Sequence, residues 1–176
     1  MILPGASIVQ MAWVVDDLDA AATRISKAMQ CGPFLMNRHI QLIDPHHRGR
    51  PQRTDFSLAL AQAGAVQIEL VEQHDDTPSV YRDAFPDGPP GGMAFHHVAV
   101  IVANVAMETA RYNALGFETG SSGRFGDVDF TYVDTRTAGG FMVEVLPDSD
   151  TINRFFGAVR KAAEGWDGTD IIREMA

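Results

Sequence analysis

The chain has 176 residues, 45% of them hydrophobic and 21% charged, with a formal net charge of -9, which describes one ordinary soluble globular core and is short for two independent domains. No apolar run approaches the roughly 20 residues that span a bilayer, no basic region precedes an apolar run at the start, and the acidic balance repels phosphate backbones; the expectation is a cytoplasmic protein with no membrane and no nucleic-acid partner. Cys31 is the single cysteine, which excludes an internal disulfide and a cysteine-based zinc cluster and leaves a small buried apolar residue as its expected role.

Ser7 to Val15 is apolar and rich in β-branched residues, the pattern of a strand. Asp17 then stands where a helix N-cap belongs, ahead of Leu18, Ala21, Ala22, Ile25 and Met29 at helical spacing. Gly32-Pro33 ends that period, an extended segment is expected near Phe34 to Ile43, and strands are expected over about Thr54 to Ala61 and Val66 to Glu72, with a turn at Ala63-Gly64. His46, His47 and Arg48 open a polar loop read as solvated, with contact to an anionic substrate arm as the alternative. The stretch from His74 to Gly92 has the prolines and turn residues of a connector, with room for a short helix over Ser79 to Phe85 and with Tyr81 and Arg82 as candidate pocket residues.

A second strand opens with His97 to Val102, Asn104 takes the N-cap place, and Gly116 ends the helix. Extended segments are expected over Phe117 to Ser121, Val128 to Asp134 and Phe141 to Leu146, with Ala138-Gly139 as a turn. Phe56, Phe125 and Phe130 are read as core, and Gly123 and Gly126 as turn glycines. Asp148 or Ser149 then caps a helix with Ile152, Phe155, Phe156, Val159 and Ala163 on one face, expected to cover the outside of the sheet or a subunit boundary. Trp166 and Ile171 are expected to dock the tail.

The chain contains itself twice. QMAWVVDDLDAAATR from Gln10 lies against HVAVIVANVAMETAR from His97, and AGAVQIELV from Ala63 against AGGFMVEVL from Ala138. The match pairs Gln10 with His97 and Glu69 with Glu144, and makes Ala12 with Ala99 an identity. Strand alternation puts Gln10, Ala12 and Val14 on one face and Met11, Trp13 and Val15 on the other, and repeats this from His97, with His96 pointing away from it. Glu69 and Glu144 each stand between apolar neighbours in a final strand, where a carboxylate is costly to desolvate without a compensating cation. Four oxygen and nitrogen donors at equivalent places in two halves point to a shared metal site. The division expected is one domain over 1–176, with modules at about 7–74 and 94–147, a connector at 75–93 and a C-terminal helix and tail at 148–176.

The paired strand, helix and three-strand copies, the FHHVAVIV segment opening the second and QIELVEQ closing the first resemble the vicinal oxygen chelate superfamily, which includes glyoxalase I, methylmalonyl-CoA epimerase, extradiol dioxygenases and bleomycin-resistance proteins. GGMAFHHV is similar to the corresponding segment of the epimerases, whereas a glutamine at position 10 is more like one form of glyoxalase I. The resemblance implies an α+β fold of two paired βαβββ modules, with a curved, partly closed mixed sheet around a metal held by Gln10, Glu69, His97 and Glu144. It also implies a homodimer.

This mainly hard donor set suits Zn, Ni, Co, Mn or Mg. The reaction expected is that of a metal-dependent lyase or isomerase of glyoxalase or epimerase type, moving a proton beside the carbonyl of a small compound or thioester through a metal-chelated enediolate. Glu144 is the first choice of base and Glu69 the second. An iron-dependent extradiol dioxygenase is disfavoured because Gln10 stands where such an enzyme wants a histidine, and a metal-free binding protein of the bleomycin-resistance type is the other alternative. Isomerisation and epimerisation are not separated by the residues, and no substrate-binding residue is assigned.

Overall fold

The computed structural model describes residues 2–175. Its strands are β1 (Ile8–Val15), β2 (Phe34–Asn37), β3 (Ile43–His47), β4 (Arg50–Pro51), β5 (Phe56–Ala63), β6 (Val66–Gln73), β7 (Met93–Val102), β8 (Thr119–Phe125), β9 (Val128–Val133), β10 (Met142–Pro147) and β11 (Ile172–Glu174). Its helices are α1 (Leu18–Met29), α2 (Val80–Ala84), α3 (Val105–Ala114), α4 (Arg136–Gly139) and α5 (Asp150–Ala163). All the strands join one mixed sheet in the order β11-β2-β5-β6-β1-β7-β10-β9-β8-β3-β4.

Chain connectivity forces this sheet to curve. β2 and β3 are joined by five residues, 38–42, yet seven strands stand between them in the sheet. Eight inter-strand steps of about 4.8 Å would set them about 38 Å apart in a flat sheet. The connecting chain reaches at most about 22 Å from Asn37 to Ile43. The sheet therefore bends into an unclosed cup, and its two ends approach each other across the concave side. The expected single extended segment from Phe34 to Ile43 is thus two strands at opposite ends of the sheet. Ile43 to His47 is drawn away by antiparallel pairing with β8.

Local chemistry starts the helices where the sequence places caps. The Asp17 side chain accepts from the Ala20 N–H, Asn104 from Met107 and Ser149 from Ile152, each satisfying one free donor of a first turn. The convex face is covered by α1 and α3. Leu18, Ala21 and Ala22 of α1 pack on Ala59, Ile68 and Leu70, and Tyr112 of α3 joins Val98, Val100, Val143 and Val145. A fully buried leucine such as Leu70 contributes about 1.5–3 kcal/mol by leaving water.

The last helix departs from expectation. Rather than lying outside the sheet, α5 places Ile152 and Phe156 in the cluster that fills the concave side, with Phe56, Phe130 and Tyr132. The open end of the cup offers an apolar surface that α1 and α3 leave uncovered, and the stripe on α5 closes over it. The tail docks as expected. β11 runs parallel to β2, Ile172 opposite Phe34, and the Trp166 ring sits where a Cβ on Gly32 would come within 2.8 Å of it. Ala138-Gly139 is not an open turn but the end of α4, closed by left-handed Gly140.

Candidate metal centre

β1 and β7 run antiparallel at the middle of the sheet, and each has a parallel partner on its outer side. In those pairs Glu69 of β6 lies beside Ala12, and Glu144 of β10 beside Ala99. An alanine next to each carboxylate keeps the space around it open. The four donors singled out by the repeat are all buried in this central region: Gln10 is 3% exposed, Glu69 6%, His97 0% and Glu144 9%. His97 Nε2 is 3.1 Å from Glu69 Oε2 and 3.8 Å from Glu144 Oε2. One donor atom from each of Glu69, His97 and Glu144 lies within 4.8 Å of the others, a group able to hold a metal ion. Gln10 donates its Nε2 to Gln67 Oε1 at 3.4 Å, which leaves its own carbonyl oxygen as the atom to serve a cation.

Hydrogen bonding assigns the protons on the two adjacent histidines. β7 carries a bulge against β1, where Ala12 pairs with His97 and Trp13 with Phe95. The extra residue, His96, therefore does not alternate away from His97. Its ring turns to the same side, against Tyr81 and Tyr132, because a bulge breaks the period of two. The Val80 carbonyl only accepts, so His96 Nε2 carries a proton toward it at 3.0 Å. His96 Nδ1 must then accept, and His97 Nδ1 donates to it at 2.8 Å. His97 Nε2 is left with its lone pair facing Glu69 and Glu144, the form in which imidazole binds a metal.

Burial governs the charges. It holds the Glu69 carboxyl up at about 8 and, with repulsion from Glu69, the Glu144 carboxyl up at about 7. It pushes the His97 imidazole down to about 4 and His96 to about 3. Among the described residues, neither carboxylate pairs with a Lys or Arg; the ionisable partner of both is His97. Two buried carboxyl groups around a neutral imidazole lone pair are rich in acceptors and poor in positive charge, and such a donor set fits a divalent cation.

Tyr132 is a member of the site that the sequence reading missed. It stands opposite Glu144 across the β9 and β10 pair, its hydroxyl is 3.4 Å from His97 Nε2, and its ring meets His97 edge-on. Burial pushes its hydroxyl well above the ordinary value, so it remains a proton donor. Its signal was the alternation Val128, Phe130, Tyr132 on the strand paired with that of Glu144.

These groups open into a cavity of about 180 Å³. Phe56, Leu58 and Leu60 come from one half of the sheet, Phe130, Tyr132 and Leu146 from the other, and Ile152, Phe155 and Phe156 from α5. Phe56, Phe125 and Phe130, read as core, line this space, and Tyr81 does so as anticipated. Arg82 pairs instead with Asp76.

His46 and His47 border the cavity from β3, whereas Arg48 is neither solvated nor aimed at a ligand. It bonds Asp83 at 2.7 Å and Asp134 at 2.5 Å, carboxylates that no local pattern near His46 reveals. Gly126 is a left-handed turn glycine as expected, but Gly123 lies within β8, where a Cβ would come 3.3 Å from the Phe130 ring. A second His–Asp–His group, His39, Asp55 and His74, stands on the outer surface, its rings engaged by Asp55 and by the Ser57 hydroxyl.

Residues 9–132 match the family described as the Glyoxalase/Bleomycin resistance protein/Dioxygenase superfamily. No curated protein matches the chain. Among solved structures, methylmalonyl-CoA epimerase from Mycobacterium tuberculosis is similar with a TM-score of 0.55 at 16% identity, covering 87% of this chain and 97% of that one. A variant of the Streptomyces coelicolor methylmalonyl-CoA epimerase in complex with 2-nitronate-propionyl-CoA gives 0.55 at 17%, covering 81% and 96%. A hypothetical protein from Bacillus halodurans C-125 gives 0.52 at 13%, covering 83% and 96%. At these identities the likeness is one of fold.

Proposed function

The chain belongs to the glyoxalase/bleomycin resistance protein/dioxygenase superfamily, and from that premise we propose that it is a divalent-metal-dependent lyase or isomerase that moves a proton on the carbon beside a substrate carbonyl. The observation that carries the reading is the convergence of Glu69, His97 and Glu144 beside a mainly apolar cavity. In it, Gln10, Glu69, His97 and Glu144 hold the cation. Bound there, a divalent ion would stabilise negative charge on substrate oxygens as the proton leaves.

The protein's own groups do the rest. Glu144 takes the proton, with Glu69 as the alternative, since a carboxylate beside the substrate oxygens can both remove and return a proton. Tyr132 supplies a neutral hydroxyl beside the reacting oxygens. His96 keeps the His97 lone pair turned inward. α5 and the aromatic wall exclude water, which strengthens each of these interactions. Return of the proton to the same carbon from the opposite side gives epimerisation, and return to the neighbouring carbon gives glyoxalase-type isomerisation. A homodimer belongs to the same reading and is tested by light scattering.

A second reading draws on the same site. Glu69 meets His97 directly within the protein, as it would in a metal-free binding protein that holds an apolar ligand. The discriminating experiment is exchange in deuterium oxide. Metal-loaded protein should introduce deuterium beside the carbonyl of an α-hydroxy ketone, hemithioacetal or branched acyl thioester, and chelator should abolish it. Ligand binding that is unchanged by chelator, without exchange on any of them, would establish the binding protein instead.

A further inference from the structure

We infer that the substrate is an uncharged, mainly apolar carbonyl compound about the size of one substituted aromatic ring, seated in the cavity, and not a conjugate of coenzyme A or glutathione. The inference rests on the proposed function and narrows it to a substrate class.

Three observations converge. The cavity measures about 180 Å³, slightly more than the roughly 150 Å³ of a Leu/Ile/Phe-lined cavity that takes up benzene. Most of its wall is aromatic and aliphatic, with Phe56, Phe130, Phe155 and Phe156 from three separate elements facing the same space, and uncharged polar residues such as Asn37, Gln52, Thr54 and Ser121 complete it. No Lys or Arg is among the residues that line it.

A phosphate-bearing or dicarboxylate arm would call for such cations, because anionic groups are held by charge-assisted hydrogen bonds. Arg48, next to His47 in the chain, is consumed by Asp83, Asp134 and Glu118, and Arg53, Arg124 and Arg154, each next to a lining residue, are exposed and do not line the space themselves. Arg136 is likewise paired with Asp134. Of the two histidines at the border, His47 is held by Asp83 and His46 turns Nδ1 to the Asp44 carbonyl.

The hydrogen-bonding groups that face the space include Gln10, Glu69, Tyr132 and Glu144 around the candidate metal centre, matched to the oxygens of a carbonyl and its neighbour. Remote parts of the ligand would be read by apolar contact. Phe155, half-buried on α5, is the specificity residue assigned here.

The test uses zinc-loaded full-length protein and two probes, 2-hydroxyacetophenone and its ring-carboxylated analogue, with binding measured by titration calorimetry. The uncharged ketone should bind at least tenfold more tightly than the carboxylated one, a comparison that needs no variant. Phe155→Ala, checked for an unchanged fold by circular dichroism, should weaken the ketone by about tenfold and leave zinc affinity unaltered. Equal or tighter binding of the carboxylated probe would overturn the inference. Deuterium exchange on methylmalonyl-CoA but not on the ketone would also overturn it while supporting the proposed function. Ketone binding without exchange on any probe would support the ligand class and overturn the catalytic reading.

Discussion

Replacing His96 by leucine tests whether the histidine pair is a built device or a coincidence of packing. The ring is 2% exposed, so the leucine fills a comparable volume, but it removes the partner of two buried groups. The Val80 carbonyl loses a donor at 3.0 Å and the His97 Nδ1–H loses an acceptor at 2.8 Å. Each stranded group costs about 1–3 kcal/mol, so the metal-free variant should lose roughly 2–6 kcal/mol, a large part of the 5–15 kcal/mol typical of a domain.

His97 is also freed to protonate at Nε2 instead, and the loss of such an outer partner lowers metal affinity by about 10- to 100-fold. His96→Gln offers an amide oxygen to His97 and an amide N–H to Val80, and should recover part of both losses. Urea unfolding of the metal-free protein reads the stability, and zinc competition against a chromophoric chelator reads the affinity. Wild-type stability and wild-type affinity in His96→Leu would refute the proton assignment on which the inward lone pair depends.

Three other outcomes follow from the same structure. Tyr132→Phe removes a hydroxyl 3.4 Å from His97 Nε2 and should lower kcat on an exchangeable substrate by about 100-fold with little change in melting temperature; unchanged kcat would remove Tyr132 from the chemistry. Leu70→Ala empties a fully buried position beneath α1 and should cost about 2–5 kcal/mol in urea unfolding without altering metal content.

Asp134 is held well below the ordinary carboxylate range by hydrogen bonds from Arg136 and Arg48. Its contribution is therefore full above the unfolded value near pH 4 and is lost as the pH falls through the lower folded value. The stability gap between wild type and Asp134→Asn should narrow below pH 4, and a gap that widens there would contradict the assignment.

What could be read from the sequence was local or repeated. Asp17 and Asn104 cap helices because each lies next to the turn it serves, and the strand periods of Val66 to Glu72 and Val128 to Asp134 are carried by their own side chains. The internal repeat did more, since Gln10 with His97 and Glu69 with Glu144 is a statement about two distant strands, and the structure draws Glu69, His97 and Glu144 together and puts Gln10, Glu69 and Glu144 on one cavity. What could not be read depends on partners far along the chain. The bulge that turns His96 inward arises from pairing with β1, not from any feature of FHHVAV. The stripe on α5 shows that the helix is covered on one side but not which surface covers it, and the mouth of the cup exists only once residues 38–42 have drawn the two ends of the sheet together. Arg48 reads as a solvated residue until Asp83 and Asp134 are folded against it.

The proposed role of Glu144, with Glu69, His97 and Gln10, is to hold a divalent ion. Its most direct test is elemental analysis of the purified protein and of Glu144→Ala after equal metal loading and dialysis. About one ion per chain is expected in the wild type, with a clear loss in the variant. No retained metal in either protein would contradict it, and the cavity would then belong to a metal-free binding protein.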